Sequence, residues 1–503
     1  MQTLRRLLHV RPGESKRVLW VAAIGLCYAA ATSLGENISE SVLFSRIGWH
    51  SMPLVILLKA GMDILAAALY LPLTKKRNSG RVWRIALLIY IVTVAIGGTM
   101  ARGESDYAAY ILYVGHECTW TILTIHWGVF ILEAFDASQA RRLFPLLFTT
   151  ARVGSIIAGL LLTALAQPVG ALNLIIVVVG LAGLAAALSY GMNTDSAANP
   201  GDSLRLTVSG HDQTAADDDD VDSADGGLWQ RWRAATRSPL VRAIAISTAA
   251  MVIVRWGLYI TSFAEIRDAF NADTDDMATF LGVYRALANT AGVVLGLLVV
   301  PWLFSRLGVA FANLAYAAST ALAFGVMLLF PSLGAAVCAR FTHSEFKTAL
   351  KTPLSTLFYG AEVPAQRAPA RAFIFGTVIP LASVMSAALI WFSGRDSQAL
   401  VVTAQIGLGV AVLFVLASAL QNQRWRERML HLLGWKLKRT PLPASQRASE
   451  LLAQYRTDAN AERLAAIAQG LSSDDPRLRA VAEEVLVETI PRAEAHAIAK
   501  QFS

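Results

Sequence analysis

The chain has 503 residues, 55% of them hydrophobic and only 16% charged, with a mean hydropathy of +0.48. Soluble domains carry about 25% charged residues, so a water-soluble enzyme is a poor description of this chain. The net charge of +8 gathers beside apolar segments instead of covering a soluble face, which argues against nucleic acid as a partner.

Arg5, Arg6, Arg11, Lys16 and Arg17 open the chain, which turns apolar after Arg17 and stays so to Leu34 without a small-residue cleavage site. This predicts a retained first helix, 18–38, and not a removed signal peptide. Further runs long enough to cross about 30 Å of hydrocarbon follow. They lie at 52–73, 82–101, 106–132, 143–166 and 169–191, closing a first unit at 1–192. Residues 193–239 include Asp217-Asp218-Asp219-Asp220 and have the composition of a disordered acidic cytoplasmic loop ending in an amphipathic segment. Spans at 240–263, 277–304, 308–330, 332–358, 371–393 and 398–420 make a second unit, 240–421. In 422–443, Trp425 and Trp435 stand among arginines and lysines, as in an interfacial helix lying on an anionic leaflet. Residues 444–503 carry short amphipathic patterns such as Asp474-Asp475-Pro476-Arg477, similar to a HEAT-type repeat. One or two such units cannot form a solenoid unaided, so the tail is expected to pack on the membrane bundle or on a protein partner.

Basic residues assign the sides. Lys75, Lys76, Arg77, Arg81 and Arg84 lie near the second link, Arg141 and Arg142 follow the fourth span, and Arg231, Arg233 and Arg237 precede the seventh. Arg367 and Arg371 precede the eleventh, while alternate loops hold scattered cations such as Arg46, Arg102, Arg267 and Arg395. The positive-inside rule then puts both termini in the cytoplasm of a multi-pass protein of the bacterial inner membrane, and twelve spans satisfy it. Apart from Arg84 at its rim, the third span is free of charge, as are the sixth, ninth and twelfth; the first, fourth, seventh and tenth hold most. A charge at the bilayer centre costs about 2.5–3.5 kcal/mol on insertion scales, so such residues face a wet interior. This three-helix period predicts an all-α membrane protein of the major facilitator type: twelve transmembrane helices in two six-helix halves. Phe135-Asp136 through Arg141-Arg142-Leu143-Phe144 and Tyr359-Gly360 through Ala370-Arg371-Ala372-Phe373 echo each other at the same link of each half.

On the tenth span Arg340, Lys347 and Lys351 are seven and four residues apart. In an α-helix that makes one cationic stripe about 16 Å deep, bordered by His343 and Ser344. Aligned cations repel in an apolar slab unless an anion joins them, so the stripe reads as the contact surface for a small anionic solute, with phosphate the natural guest. The structural alternative is a network closed by Glu345, Glu117 or Glu36. Arg152, Arg255 and Arg285 either tilt the same cavity positive or stand as halves of salt bridges. Lys59 and Asp63, at i and i+4, read as a mutual ion pair, with Lys59 also a candidate solute contact and Asp63 a candidate for ion coupling. Glu117 beside His116 is placed to relay protons or to neutralise a cation of the tenth span, and Glu36 and Glu345 are further candidates for coupling or gating.

Cys27, Cys118 and Cys338 stand apart without a CxxC pair, and the chain has no Gly-rich loop ending in Gly-Lys-Ser/Thr, no HExxH and no GxSxG. Neither metal, cofactor nor catalytic group is expected. Transport would draw on an ion gradient or on exchange.

Two stretches resemble the bacterial ATP/ADP antiporter (nucleotide transporter) family. One is Trp127 through Phe135-Asp136, Ala140-Arg141-Arg142-Leu143-Phe144-Pro145-Leu146 and Gly154-Ser155-Ile156. The other is Glu345-Phe346-Lys347 through Lys351-Thr352-Pro353-Leu354, then Pro364 and Ala370-Arg371-Ala372-Phe373-Ile374; Pro12-Gly13-Glu14 and Gly48 through Pro53 are also similar. The resemblance covers the twelve-helix region. It implies a major-facilitator-like fold and exchange of nucleotides or related phosphorylated metabolites, and some members carry HEAT-like tails. Of that family's basic–acidic pair after the first helix Glu40 alone matches; its second-helix lysine aligns near Ile56 instead of Lys59, and Phe375 and Ile379-Pro380 stand where it has an Asp and a basic residue. The expectation is therefore a secondary transporter working by alternating access on an anionic, nucleotide-like or phosphorylated solute. A proton-coupled carrier or exporter of another metabolite, and a non-transporting scaffold or sensor using its tail, are the alternatives.

Overall fold

The computed structural model describes residues 15–74, 79–103, 105–135, 137–191, 236–362, 364–394 and 398–439, and in the tail 446–453, 455, 461–472, 476–487, 489–490, 492–499 and 501. The acidic stretch read as a loop and the Pro12-Gly13-Glu14 opening lie outside the described residues.

Every described element is helical. The first half comprises α1 (Ser15–Arg46), α2 (Met52–Thr74), α3 (Ser79–Met100), α4 (Asp106–Ala134), α5 (Ala137–Val169) and α6 (Ile175–Tyr190). The second opens with α7 (Pro239–Ala269). α8 starts at Thr274, passes a π turn at Leu295–Val299 and ends where Gly308 takes φ 77°, a left-handed value that a side chain would strain; α9 continues to Leu329. α10 comprises Leu333–Phe341, a π stretch Thr342–Lys351 and Thr352–Gly360. α11 comprises Pro364–Phe373, the π turn Ile374–Val378 and Ile379–Phe392, and α12 is Ala399–Arg439. Polar caps fix several starts: Ser238 accepts from Val241 N ahead of Pro239, Asp273 from the amides of Asp275 and Asp276, and Ser332 from Ala335 N.

Among the described residues eight stretches are long and apolar enough to cross a bilayer, one of which, Thr274–Leu329, is the α8–α9 pair. α2, α4 and α10 complete the twelve spans; α4 and α10 carry the intramembrane His, Glu, Arg and Lys residues that lower their hydropathy. α1 is buried along most of its length, whereas side chains such as Ile96, Ile176, Leu322 and Leu413 on the charge-poor spans are exposed, as lipid-facing residues are.

The halves meet along α5–α8 and α2–α11. At α5–α8 the backbones nearly touch: a Cβ on Gly159 would stand 2.6 Å from Gly282 O, and one on Gly282 2.7 Å from Gly159 O. At the loop end away from the termini, Ser45 Oγ meets Thr274 Oγ1 at 2.7 Å, Arg267 Nε donates to Phe44 O at 2.9 Å, and Phe44 stacks on Phe263 at 4.0 Å.

One expectation changes at the C-terminus. Residues 422–439 do not turn into the membrane surface; they continue α12 as a single helix of 41 residues. Trp425 is buried edge-on against Phe358 at 5.8 Å, and Arg428 pairs with the buried Glu362 at 2.9 Å. Those two contacts hold the extension to the bundle. α13 (Gln446–Ala453), α14 (Ala461–Leu471), α15 (Pro476–Val487) and α16 (Arg492–Ala499) gather around Leu464, Ile467, Leu471 and Leu486, with α14 and α15 packed on α12.

Candidate functional site

The cationic stripe of α10 is split in the structure, and helix geometry gives the reason. A π turn bonds residue i to i+5 and holds more residues per turn than the α-helix, so a spacing of seven no longer closes two turns. Across Thr342–Lys351 the three cations therefore face three directions. Arg340 turns to the first half, donating from Nη2 to Glu40 Oε2 at 2.6 Å, with its guanidinium 4.3 Å from the Phe263 ring and 5.2 Å from that of Tyr284. Lys351 turns into the second half: its ammonium donates to Asn313 Oδ1 at 2.7 Å and lies 5.5 Å from the Phe414 ring. Lys347 points to neither and has no hydrogen-bond or ion-pair partner among the described residues.

Three ion pairs cross between the halves. Arg340 on α10 holds Glu40 on α1; Arg285 on α8 holds Glu36 on α1 at 2.7 Å and donates to Asn37 Oδ1 at 3.3 Å. Arg152 on α5 holds Glu345 on α10 at 2.9 Å. This last pair lies over Gly292 of α8, where a Cβ would collide with Arg152 Nη1 and stand 2.8 Å from Glu345 Oε2, so a bare backbone leaves the charges room to meet. The second oxygen of Glu40 accepts from Tyr259 OH at 2.9 Å, which meets Tyr113 OH at 3.0 Å.

Lys59 reaches across to Glu117 of α4 at 3.1 Å, while the side chain of Asp63, its expected partner on α2, lies outside the described residues. Glu117 is thereby engaged within the first half and does not neutralise a cation of α10. His116 meets Thr32 O through Nε2 at 3.0 Å and stands 3.8 Å from Glu117 through Nδ1. Glu40, Tyr113, Tyr259 and Asn313 were absent from the sequence-based candidates. Glu40 carried two signals, matching the acid of the resembled family's pair and lying a helical turn beyond Glu36 on the same face.

The charge balance of this layer is uneven. Glu36, Glu40, Glu117 and Glu345 each hold one Arg or Lys in an ion pair, and Arg255, Lys347 and Lys351 form none among the described side chains. Lys351 is sealed in, 4% exposed. Arg255 and Lys347 are half-buried at mid-span of α7 and α10, which pack together. The guanidinium of Arg255 lies 5.4 Å from the ring of its neighbour Trp256. His343 is buried beside them, packed edge-on to Tyr259 at 5.6 Å, and its Nε2 has no hydrogen-bond partner. An apolar cleft of about 290 Å³ between α2 and α11, lined by Pro53, Leu57, Val384 and Trp391, lies away from these charges. Among the described residues no His, Cys, Asp and Glu group could hold a metal ion.

Solved structures with the same fold are transporters. The chain is similar to the nucleoside transporter NupG, with a TM-score of 0.56 and 12% identity over 80% of this chain and 98% of that one. A bacterial homolog of the human lysosomal transporter Spinster, in an inward-facing and unoccupied conformation, gives 0.52 and 15% over 83% and 98%. A D-xylose–proton symporter gives 0.52 and 12% over 79% and 96%. Such identities speak to fold alone, and the fold is the two-half, twelve-helix major facilitator architecture. No family model and no curated protein matches the chain in sequence.

Proposed function

We propose that this chain is a secondary transporter that carries a small anionic solute by alternating access, with Lys347 and Arg255 as its main electrostatic contacts. The pair itself carries the reading: two partly exposed cations stand at mid-span on α7 and α10, helices that pack together, while every described acid of that layer holds another cation in an ion pair. Each bare charge at that depth costs about 2.5–3.5 kcal/mol on insertion scales, and an anion entering between them offsets it. The three inter-half ion pairs are the contacts that part when the halves rock about the site. Arg340, Arg285, Arg152 and Lys59 then act as partners in structural pairs, and Lys351 as a buried amine of the second half.

The similarity to solved carriers of nucleosides and sugars supports the transporter class. The resemblance to the ATP/ADP antiporter family supports a phosphorylated or nucleotide-like solute. The distribution of basic residues supports an inner-membrane location with cytoplasmic termini, and the tail is read as a HEAT-like module able to bind a protein partner. A proton-coupled cycle is the second reading, favoured by one observation: Glu40 is buried between Arg340 and the Tyr259 hydroxyl, so a proton on its carboxylate would release Arg340.

Uptake of labelled anions into proteoliposomes tests the proposal. Lys347→Ala or Arg255→Ala should lower uptake about tenfold or more with folding intact, while Lys351→Met, which removes an amine sealed behind Asn313, keeps uptake. Undiminished uptake by both alanine variants would remove the pair from the site. A native protein that moves no anion, yet loses a co-purifying partner when 444–503 is deleted, would be a scaffold instead.

A further inference from the structure

We infer that the solute presents a single doubly charged phosphate group, bound jointly by Arg255, Lys347 and His343. The inference rests on the anion-carrier reading and deepens it. Its first support is charge bookkeeping. Arg255 and Lys347 have no ion-pair partner among the described residues once Glu36, Glu40, Glu117 and Glu345 have taken theirs, so a dianion brings that pair to neutrality. A nucleoside triphosphate, carrying about four negative charges, would leave two unmatched. At the mid-membrane cost of an unmatched charge, each is worth roughly 100-fold in affinity.

The second support is the imidazole. His343 is 5% exposed, and its Nε2 is buried without a partner, an arrangement that costs free energy unless a ligand completes it. His343 stands four residues before Lys347 on α10 and packs on Tyr259, whose ring also packs on Trp256 at 5.6 Å, the ring beside the Arg255 guanidinium. In the Nε2–H tautomer it adds a third donor beside a guanidinium fork and an ammonium. A guanidinium, an ammonium and an imidazole N–H acting jointly would suit the three terminal oxygens of a tetrahedral phosphate. A dicarboxylate of equal charge needs its cations further apart.

Tyr284 OH and Ser344 Oγ, the latter on α10 next to His343, are in mutual contact at 3.1 Å. They give the organic part of a monoester polar contacts, whereas inorganic phosphate would leave them to each other. The shared chemistry is the dianionic phosphate, and binding measurements separate the two sources.

Isothermal titration of the purified full-length protein with inorganic phosphate, glycerol 3-phosphate, succinate and ATP decides the matter. The inference expects one or both phosphate dianions to bind at least about 100-fold more tightly than ATP, which leaves charge unmatched, and more tightly than succinate, whose charges are spaced differently. Inorganic phosphate binding as well as the monoester marks the bare ion as sufficient; a monoester preference marks the organic part as recognised. His343→Ala should weaken phosphate binding about tenfold, and His343→Gln, which retains an N–H donor, should restore part of it. ATP or succinate binding as tightly as the phosphates, with Lys347 still required, overturns the inference and leaves the anion carrier standing. Native affinity in both His343 variants also overturns it. Loss of all anion binding and transport in the native protein would sink the carrier reading itself.

Discussion

Replacing Glu40 with Gln tests whether charge holds the two halves together. Arg340 and Glu40 meet at 2.6 Å with both side chains 4% exposed, and Nε and Nη1 of Arg340 already lack partners. Removing the carboxylate charge strands a buried guanidinium, which costs about 3–5 kcal/mol in buried pairs. Tyr259 keeps a hydrogen-bonding partner in the Gln side chain, so we expect the lower figure, about 3 kcal/mol. The cost falls on the arrangement in which α1 touches α10; a conformer parted at that end wets both groups and escapes it. At about 1.4 kcal/mol per decade, the balance moves roughly 150-fold toward the parted form. Spin labels at Tyr107 and Phe330, exposed positions on opposite halves at the loop end away from the termini, report that distance by pulsed electron resonance. Glu40→Gln should lengthen it. The double variant Glu40→Gln/Arg340→Met, which removes the stranded cation as well, should return the native distribution. An unaltered distance in Glu40→Gln, or a double variant no closer to native than the single, refutes the reasoning.

Two other substitutions have calculable directions. Gly282→Val places a Cβ 2.7 Å from Gly159 O and 2.8 Å from Thr163 N, both backbone atoms, so the α5–α8 seam must open at a cost of about 1–3 kcal/mol. A lower melting temperature is expected, and an unchanged one would show that the seam yields freely. Glu362→Gln removes the acid that joins Arg428 of α12 to Ser238 at the start of α7. With Arg428 22% exposed the loss should be about 1–3 kcal/mol, seen as faster proteolysis beyond α12; native protease resistance would contradict it.

The spans were legible because apolar length and basic flanks encode them directly. The sequence places α2 at 52–73 and α7 at 240–263; the structure runs them Met52–Thr74 and Pro239–Ala269. The extension of α12 was not legible, since Trp425 among arginines reads as interfacial until Phe358 and Glu362 are known to wait beside it. The single stripe on α10 failed for a sharper reason. Spacing converts to a face only through an assumed number of residues per turn, and nothing in the hydropathy of Thr342–Lys351 announces a π register. Partner choice was hidden for the same kind of reason. Lys59 has an acid four residues away on its own helix, and nothing in that spacing announces Glu117, which the packing of α2 on α4 brings within 3.1 Å.

The cross-bonding of the halves sets a constraint on how the chain is made. Glu36 and Glu40 enter the bilayer with the first helix, yet Arg340 stands 300 residues downstream of Glu40. At translation rates of about 5–20 residues per second, the carboxylate waits roughly 15–60 s for its counter-ion. Until then the growing polypeptide needs a proton on that group or shelter beside the insertion machinery, and a ribosome stalled before the second half would leave an acid stranded in lipid.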